Sequence, residues 1–313
     1  GEEFPLFRAF WIEKPAAGAL ELIVHALLDS PSATGAYRFV IQPGVSTVMD
    51  VEATLFARRT MSFFGLAPLT SMFIHGPAHR RLTGDFRPAV HDSEGLAIVN
   101  GRGERLWRPL TNPKKLQTSA FIDKDVKGFG LVQRDRRFAN FEDLEARYER
   151  RPTAWVEPRG GWGEGVVELI EIPTEEEIHD NIVAYWRPAK PIEEQKSFAF
   201  VYRLHWADAP AAAWTGLRAR KTRVGNGRKG AVLFVVDFDG PAGGSLKDLP
   251  AAELRASAGT VSKPVVQFNP EISGLRCSFE LQPGAAELSE LRLELWAGDQ
   301  NVSEIWLYRW TRV

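Results

Sequence analysis

Two segments of the chain combine carboxylates with aromatic and loop-forming residues. The first, residues 86–95, contains Asp92, and the second, residues 173–186, contains Glu177 and Asp180. Cleavage of a glycosidic bond requires two carboxyl groups in different protonation states, one as acid and one as base or nucleophile. These two acidic segments therefore carry the candidate chemistry of the chain.

The same residues also have purely structural explanations. Asp92 lies in a His-Asp-Ser sequence and Asp180 in a His-Asp-Asn sequence, and both patterns suit Asx-turns. Glu175 and Glu176 are equally typical of a solvated run of charges. Residue spacing alone leaves these interpretations open and indicates only a large β protein that binds a ligand.

Other kinds of site have less support. The six histidines lack the close spacing of metal ligands, and Cys277 is the single cysteine, so the chain can form neither an internal disulfide nor a cysteine-based metal site. Residues 160–165 are glycine-rich but lack the lysine and the strand–loop–helix context of a phosphate-binding loop. The Gly-x-Ser-x-Gly elbow of α/β-hydrolases is absent from the sequence. We expect no cofactor and no metal.

Charge and hydropathy exclude two classes of partner. The net charge is −1 and the acidic and basic residues are interspersed, so a nucleic-acid partner is not expected. The longest apolar runs, such as 231–236, are far shorter than a membrane span. The 10 Trp and 19 Phe residues suit a β core, and a minority of the tryptophans are candidate platforms for sugar rings.

The elements that must position the acids are strands. Segments rich in β-branched and aromatic residues recur between turn-forming clusters, which predicts an all-β fold. Helical signals are few: residues 141–148 have the pattern of two helical turns with Asn140 as the N-cap, and residues 174–179 that of a turn or short helix. The predicted strands include 21–28, 37–42, 46–56, 166–172, 197–206, 232–238 and 291–296.

A shift in composition divides the chain. Residues 207–214 are rich in Ala and contain Asp and Pro, which predicts a linker. The 215–313 segment then has the size and the strand pattern of an immunoglobulin-like sandwich. Within it, residues 225–230 predict a hairpin turn.

Several blocks of sequence resemble the family of periplasmic glucan biosynthesis proteins G and D (OpgG/OpgD, or MdoG). The resemblance is ordered and collinear over the first 206 residues and weaker after the predicted linker. The main blocks are Phe7-Arg8-Ala9-Phe10-Trp11, Ala67-Pro68-Leu69-Thr70-Ser71-Met72-Phe73, His91-Asp92-Ser93, Trp107-Arg108-Pro109-Leu110, Phe141-Glu142-Asp143-Leu144 and Asp180-Asn181-Ile182-Val183-Ala184-Tyr185-Trp186.

The resemblance implies a periplasmic protein with two β domains. Residues 1–206 would form a large, galactose-mutarotase-like β-sandwich with a long cleft, and residues 215–313 a C-terminal immunoglobulin-like β-sandwich. The implied role is the biosynthesis of osmoregulated periplasmic glucans, whose backbone is β-1,2-linked glucose. Family members are much longer at the N-terminus, so the large domain is expected to be N-terminally incomplete here. The absent part would be a separate chain of a nicked protein, or the sequence would be partial.

The resemblance also assigns roles at the site. The family's general acid corresponds to Asp180, and its candidate general base corresponds to Asp92. Glu177 and Tyr148 would support the site without themselves donating or accepting the transferred proton. Further contacts with the β-1,2-glucan substrate are expected from His91, Trp107, Arg108 and Trp186.

Three functions remain open at this point. The first is an anomer-inverting glycoside hydrolase (endo-β-1,2-glucanase) or an inverting transglycosylase. The second is a non-catalytic periplasmic glucan-binding protein that assists backbone branching or export. The third is a structural module whose C-terminal sandwich docks on a membrane synthase.

Overall fold

The structure is a computed structural model that describes residues 2–80, 84–210, 214–240 and 248–312. Within these ranges the chain consists of strands and turns without an α-helix, which confirms the predicted all-β class. Short 3-10 turns lie at Phe138–Asn140, Tyr148–Arg150, Arg228–Gly230 and Pro270–Ile272. In this described part of the chain, no helix has the length and apolar character needed to cross a membrane.

The strands alternate with short connections along the whole chain. Each predicted strand segment overlaps a strand of the structure. Successive side chains of a strand point to opposite faces, so alternation of apolar and polar residues predicts a strand from local sequence alone. The bounds are β1 (Leu6–Ile12), β2 (Leu22–Asp29), β3 (Ala33–Gln42), β4 (Thr47–Ala57), β5 (Leu66–Ser71), β6 (Phe73–His75), β7 (Val90–His91), β8 (Gly95–Val99), β9 (Arg105–Pro109), β10 (Gln117–Lys124), β11 (Gly128–Val132), β12 (Thr153–Arg159), β13 (Glu164–Glu171), β14 (Ile182–Pro188), β15 (Ser197–Ala207), β16 (Arg218–Asn226), β17 (Val232–Asp239), β18 (Ala251–Ala256), β19 (Thr260–Val261), β20 (Val265–Asn269), β21 (Gly274–Gln282), β22 (Leu288–Ala297), β23 (Gln300–Asn301) and β24 (Ile305–Thr311).

Two sheets form the layers around the first core. The larger sheet has the order β1-β2-β3-β4-β15-β12-β11-β8-β9-β24-β22-β18, and the smaller has the order β10-β13-β14-β5. Side chains from both sheets, including Phe129, Leu169 and Trp186, are fully buried in one apolar cluster. Burial of one such side chain stabilises the folded state by about 1.5–3 kcal/mol. This packing fixes β13 and β14, the strands that flank the acidic loop.

The C-terminal strands form a second packed unit that joins the first. A further sheet has the order β16-β17-β21-β19, with β20 beside β21, and its side chains pack with those of β22 and β24 in a second apolar cluster. Strand β24 pairs with β9 in parallel, at Ile305–Leu106 and Trp306–Trp107. The predicted hairpin turn between β16 and β17 is confirmed.

The predicted division of the chain into 1–206, 207–214 and 215–313 stays a prediction. Strand β15 extends to Ala207, the first residue of the predicted linker, and residues 211–213 lie outside the described residues. The structure adds that strands from both sides of the linker share one sheet. Any domain boundary therefore crosses a continuous ladder of hydrogen bonds.

The two helical turns predicted for residues 141–148 are not formed. The Asp143 carboxylate accepts hydrogen bonds from the backbone N–H groups two and three residues later, at 2.9 and 2.7 Å. Glu142 and Arg147 also have left-handed φ angles of 57° and 50°. A carboxylate that replaces the helical carbonyl acceptor, together with left-handed residues, favours a turn over an α-helix.

Candidate active site

Asp92 projects from a backbone that is fixed by hydrogen bonds. It directly follows β7, and its N–H donates to the Met72 carbonyl at 2.9 Å. The Ser71 hydroxyl donates to the Ser93 hydroxyl at 2.9 Å, and both serines are buried. The Asp92 side chain itself is 27% exposed. The carboxylate is therefore held at the surface by a buried support.

Asp180 lies at the end of the loop between β13 and β14. Its neighbour Asn181 is buried, and the Asn181 side chain accepts a hydrogen bond from the Phe73 N–H at 2.8 Å. The Asn181 amide also donates to the carbonyls of Phe73 and Ile172, both at 3.0 Å. Asp180 is exposed. Residues 174–179, predicted as a turn or short helix, form a turn in this loop.

These contacts bring the two acidic segments to one place. Asp92 is bonded to Met72, and the neighbour of Asp180 is bonded to Phe73, the next residue along the chain. Burial raises the pKa of Asp92, the Arg151 guanidinium opposes this rise, and the charges of Asp180 and Glu177 raise the pKa further. Asp92 is thus close enough to two carboxylates from a distant segment of the chain to be affected by their charge.

Glu177 is held by two donors. The Tyr148 hydroxyl donates to Glu177 Oε2 at 3.0 Å, and Arg87 Nη1 donates to the same oxygen at 2.9 Å. The Tyr148 side chain is buried, and burial, followed by the hydrogen bond to Glu177, raises the pKa of its hydroxyl. Tyr148 therefore stays protonated and serves as a hydrogen-bond donor.

One guanidinium group connects three carboxylates beside the site. Arg87 Nη1 donates to Asp143 at 2.7 Å as well as to Glu177, and Arg87 Nε and Nη2 donate to Asp85 at 3.0 and 2.8 Å. The hydrogen bonds from Arg87 lower the pKa of Asp85 to about 2. The pKa of Arg87 is raised by the same contact. Asp85 and Arg87 are therefore both ionised near neutral pH.

His91, which directly precedes Asp92, is buried beneath the surface on which the acids lie. Its ring stacks on Phe73, with centroids 5.2 Å apart, and meets Phe141 edge-on at 5.1 Å. The side chain is 1% exposed, and burial lowers its pKa to about 3, so the imidazole is neutral. His91 thus supports the backbone of Asp92 by packing.

Trp107, Arg108 and Trp186 are buried in the interior. Trp107 lies in the second apolar cluster, with the Arg134 guanidinium 3.4 Å above its ring, and Trp186 lies in the first cluster. Arg108 donates to Glu171 at 3.1 Å, and both side chains are buried. The role of these residues and of buried His91 as substrate contacts stays a prediction.

Two arginines of the site were not identified from the sequence. Arg87 lies in the first acidic segment, and its position between Asp85 and Asp92 could have indicated an ion pair. Arg151, whose Nε is 3.1 Å from Asp92 Oδ1, lies between Arg150 and Pro152 and has no distinguishing neighbour in the sequence. Tertiary contacts alone distinguish it.

The arrangement brings together carboxylates with different environments. It combines an exposed carboxylate, a second one whose pKa is raised, and a third that is fixed by two donors. Within the described ranges, no three His, Cys, Asp or Glu side chains are arranged to hold a metal ion.

Comparison with known proteins gives consistent matches along the chain. The family model "Periplasmic glucan biosynthesis protein, MdoG" matches residues 1–310. The chain is 52% identical over 315 aligned positions to Glucans biosynthesis protein G of Vibrio cholerae serotype O1, and 52% identical over 317 positions to that of Shewanella baltica. It is 51% identical over 316 positions to Glucans biosynthesis protein G 1 of Shewanella oneidensis. Each comparison covers 99% of this chain and 58% of the relative, so the chain spans less than two thirds of the relatives' length.

Proposed function

The chain belongs to the MdoG family of periplasmic glucan biosynthesis proteins, and on this premise we propose that it acts in the periplasm on the β-1,2-linked backbone of osmoregulated periplasmic glucans. The proposed reaction is anomer-inverting cleavage of a glycosidic bond. Water completes the reaction in an endo-β-1,2-glucanase, and a sugar hydroxyl completes it in a transglycosylase. The relatives' printed names refer to glucan biosynthesis, which is compatible with either outcome.

The observation that carries this proposal is the attachment of both acidic segments to the consecutive residues Met72 and Phe73. In the proposed mechanism, Asp180 protonates the leaving oxygen, directly or through a substrate hydroxyl. Asp92 removes a proton from the attacking group, directly or through a chain of waters. Inverting enzymes generally hold their two carboxyl groups about 6.5–9.5 Å apart, with room for the nucleophile between them.

The environments of the two acids support this division of roles. Asp180 is exposed, so a polymer can reach it. Asp92 is more enclosed and its pKa is raised, and a base is more effective when its pKa approaches the working pH. Glu177 and Tyr148 bond to each other beside both acids and orient the site.

The test is cleavage of linear β-1,2-glucan by the Asp180→Asn variant. We expect the shortening of the polymer to fall at least about 100-fold, because a positioned acid contributes about 10²–10⁴ to the rate. Product chain lengths and reducing ends measure the reaction, and circular dichroism checks the fold. The control is Glu176→Gln, a neutralised carboxylate in the same loop, which should retain activity. Unchanged cleavage by Asp180→Asn would remove Asp180 from the role of acid.

A second candidate is a glucan-binding protein without catalysis. The relatives' printed names, which refer to glucan biosynthesis, are compatible with this function as well. Incubation with the polymer separates the two functions. Binding that yields neither new reducing ends nor transferred or cyclic products would support the binding protein and exclude the enzyme.

A further inference from the structure

Arg151 is built into the turn that carries Tyr148. The Arg151 N–H donates to the Tyr148 carbonyl at 3.2 Å, and the Arg151 carbonyl accepts a hydrogen bond from Arg136. With its backbone held in this way, its side chain reaches across to Asp92, where Nε lies 3.1 Å from Oδ1. Its guanidinium carbon is also 5.7 Å from the centroid of the Tyr148 ring.

The charged groups around Asp92 oppose its ionisation, and the contact with Arg151 favours it. Asp180 and Glu177, both from the loop between β13 and β14, face Asp92 with like charge, and the Tyr148 hydroxyl faces it from the turn. Burial and both carboxylates act to protonate Asp92, and Arg151 acts against them. Glu177 pairs with a different guanidinium, that of Arg87, which also binds two further carboxylates. The contact with Asp92 is thus made by a separate arginine, Arg151.

We propose that Arg151 is a positioning residue that orients the Asp92 carboxylate through this ion pair and favours its ionised form beside two other acids. The catalytic meaning of this role rests on the proposed function, in which Asp92 is the base. The electrostatic role rests on the ion pair alone and can be tested without any reaction.

The direct test is titration of Asp92 by carbon NMR in the full chain, with Asp92→Asn used to assign the resonance. In Arg151→Gln the pKa of Asp92 should rise by about 0.5–1 pH unit, a modest shift because both partners of the pair are partly exposed. Arg151→Lys keeps the charge and should hold the pKa near that of the unchanged protein. The matched control is Arg150→Gln, which removes a more exposed arginine of the same turn and should leave Asp92 unaffected.

The second readout is the pH profile of kcat/KM on β-1,2-glucan. A base acts only when it is ionised, so a higher pKa moves the acid limb of the profile to higher pH. Arg151→Gln should therefore lose about 3- to 10-fold in kcat/KM at a pH on that limb and little on the plateau, which corresponds to the shift of 0.5–1 unit. A purely structural arginine would lower activity equally at every pH.

The outcomes distinguish the two proposals. An Asp92 pKa that is the same in Arg151→Gln as in the unchanged protein would overturn the role of Arg151, whatever the activity. A shifted pKa in a protein that cleaves no glucan would retain the ion-pair inference and reject the enzymatic function. If Arg151→Gln fails to fold, the test rests on Arg151→Lys, which keeps the positive charge. The acid limb of its pH profile should then stay at the pH found for the unchanged protein. A displaced or missing acid limb in Arg151→Lys would contradict the proposal.

Discussion

At the scale of single residues, two carboxylates of the site are each paired with an arginine. Arg87 pairs with Glu177 and Arg151 pairs with Asp92, whereas Asp180 is exposed. Neighbouring carboxylates without cations would share protons, because each ionised group raises the pKa of the next. The Arg151 guanidinium opposes the rise in the pKa of Asp92 that burial and the two neighbouring carboxylates cause, while Asp180 stays accessible to a substrate.

The contribution of Arg87 to stability can be tested with Arg87→Gln, through the pH dependence of the unfolding free energy. The folded-state pKa of Asp85, about 2, lies below the value near 3.9 of an unfolded aspartate, so the contact stabilises the fold above pH 4 and is lost as the pH falls toward 2. We expect the variant to lose about 2 kcal/mol of unfolding free energy at pH 6, and less at pH 3. Urea unfolding at both pH values measures this.

The control for this cluster is Arg255→Gln. Arg255 pairs with Glu253 at an exposed position, so its loss should leave the unfolding free energy nearly unchanged at both pH values. An equal loss at pH 6 and pH 3 in Arg87→Gln would show that Arg87 stabilises by packing rather than by charge.

At the scale of elements, one junction aligns both acidic segments. Met72 and Phe73 lie where β5 ends and β6 begins, and the backbone or side-chain bonds of Asp92 and Asn181 converge there. Strand β5 also pairs with β14, at Ser71–Ile182. The loop that carries Asp180 is therefore fixed at its base, while its tip remains open.

Asn181→Ala should release the base of this loop. It removes three hydrogen bonds of a buried side chain and leaves buried backbone groups without these partners, at a cost of about 3 kcal/mol. Glucan cleavage should also fall by up to about 100-fold, since a misplacement of about 1 Å at a reacting group is sufficient for that loss. Urea unfolding and kcat measure the two effects.

Asn100→Ala is the matched control for the element. The Asn100 side chain accepts hydrogen bonds from two backbone N–H groups in the β8–β9 turn, so its loss should lower stability and leave kcat unchanged. If Asn181→Ala retained full activity, the attachment to Phe73 would not be what positions Asp180.

At the scale of the whole molecule, the C-terminal strands are coupled to the sandwich beneath the site. Arg134 forms two hydrogen bonds with Glu304, both at 2.8 Å, and its guanidinium lies over the ring of Trp107. The Arg134 N–H donates to Glu94, two residues after Asp92. Together with the β24–β9 pairing, these contacts make the C-terminal unit part of the support of the acidic segment.

Glu304→Gln should destabilise the molecule through this contact. Both side chains are nearly buried, so removal of the carboxylate charge leaves Arg134 poorly compensated, at a cost of about 3 kcal/mol. Chemical denaturation measures the loss, with Glu253→Gln at the exposed pair as control. A loss as small as that of the control would mean that β-strand pairing alone joins the two parts.

The sequence determined the local features of the fold. The alternation in residues 197–206 predicts β15, and Gly and Asn in 225–230 predict the β16–β17 turn, because each depends on neighbouring residues only. The same local reasoning failed at residues 141–148, where the Asp143 carboxylate competes with helical hydrogen bonding. The sequence blocks also indicated the family, which the comparison confirms.

Which side chains meet depends on tertiary contacts between distant segments. The proximity of Asp92 and Asp180 depends on the contacts of Met72 and Phe73 with two distant segments, and no local pattern encodes such a pairing. The same holds for Arg151, and for Trp107 and Trp186, whose aromatic rings suit a sugar platform as well as a core until packing buries them. Periodicity specifies a strand and its apolar face, but the partner of that face is chosen by the packing of the whole chain.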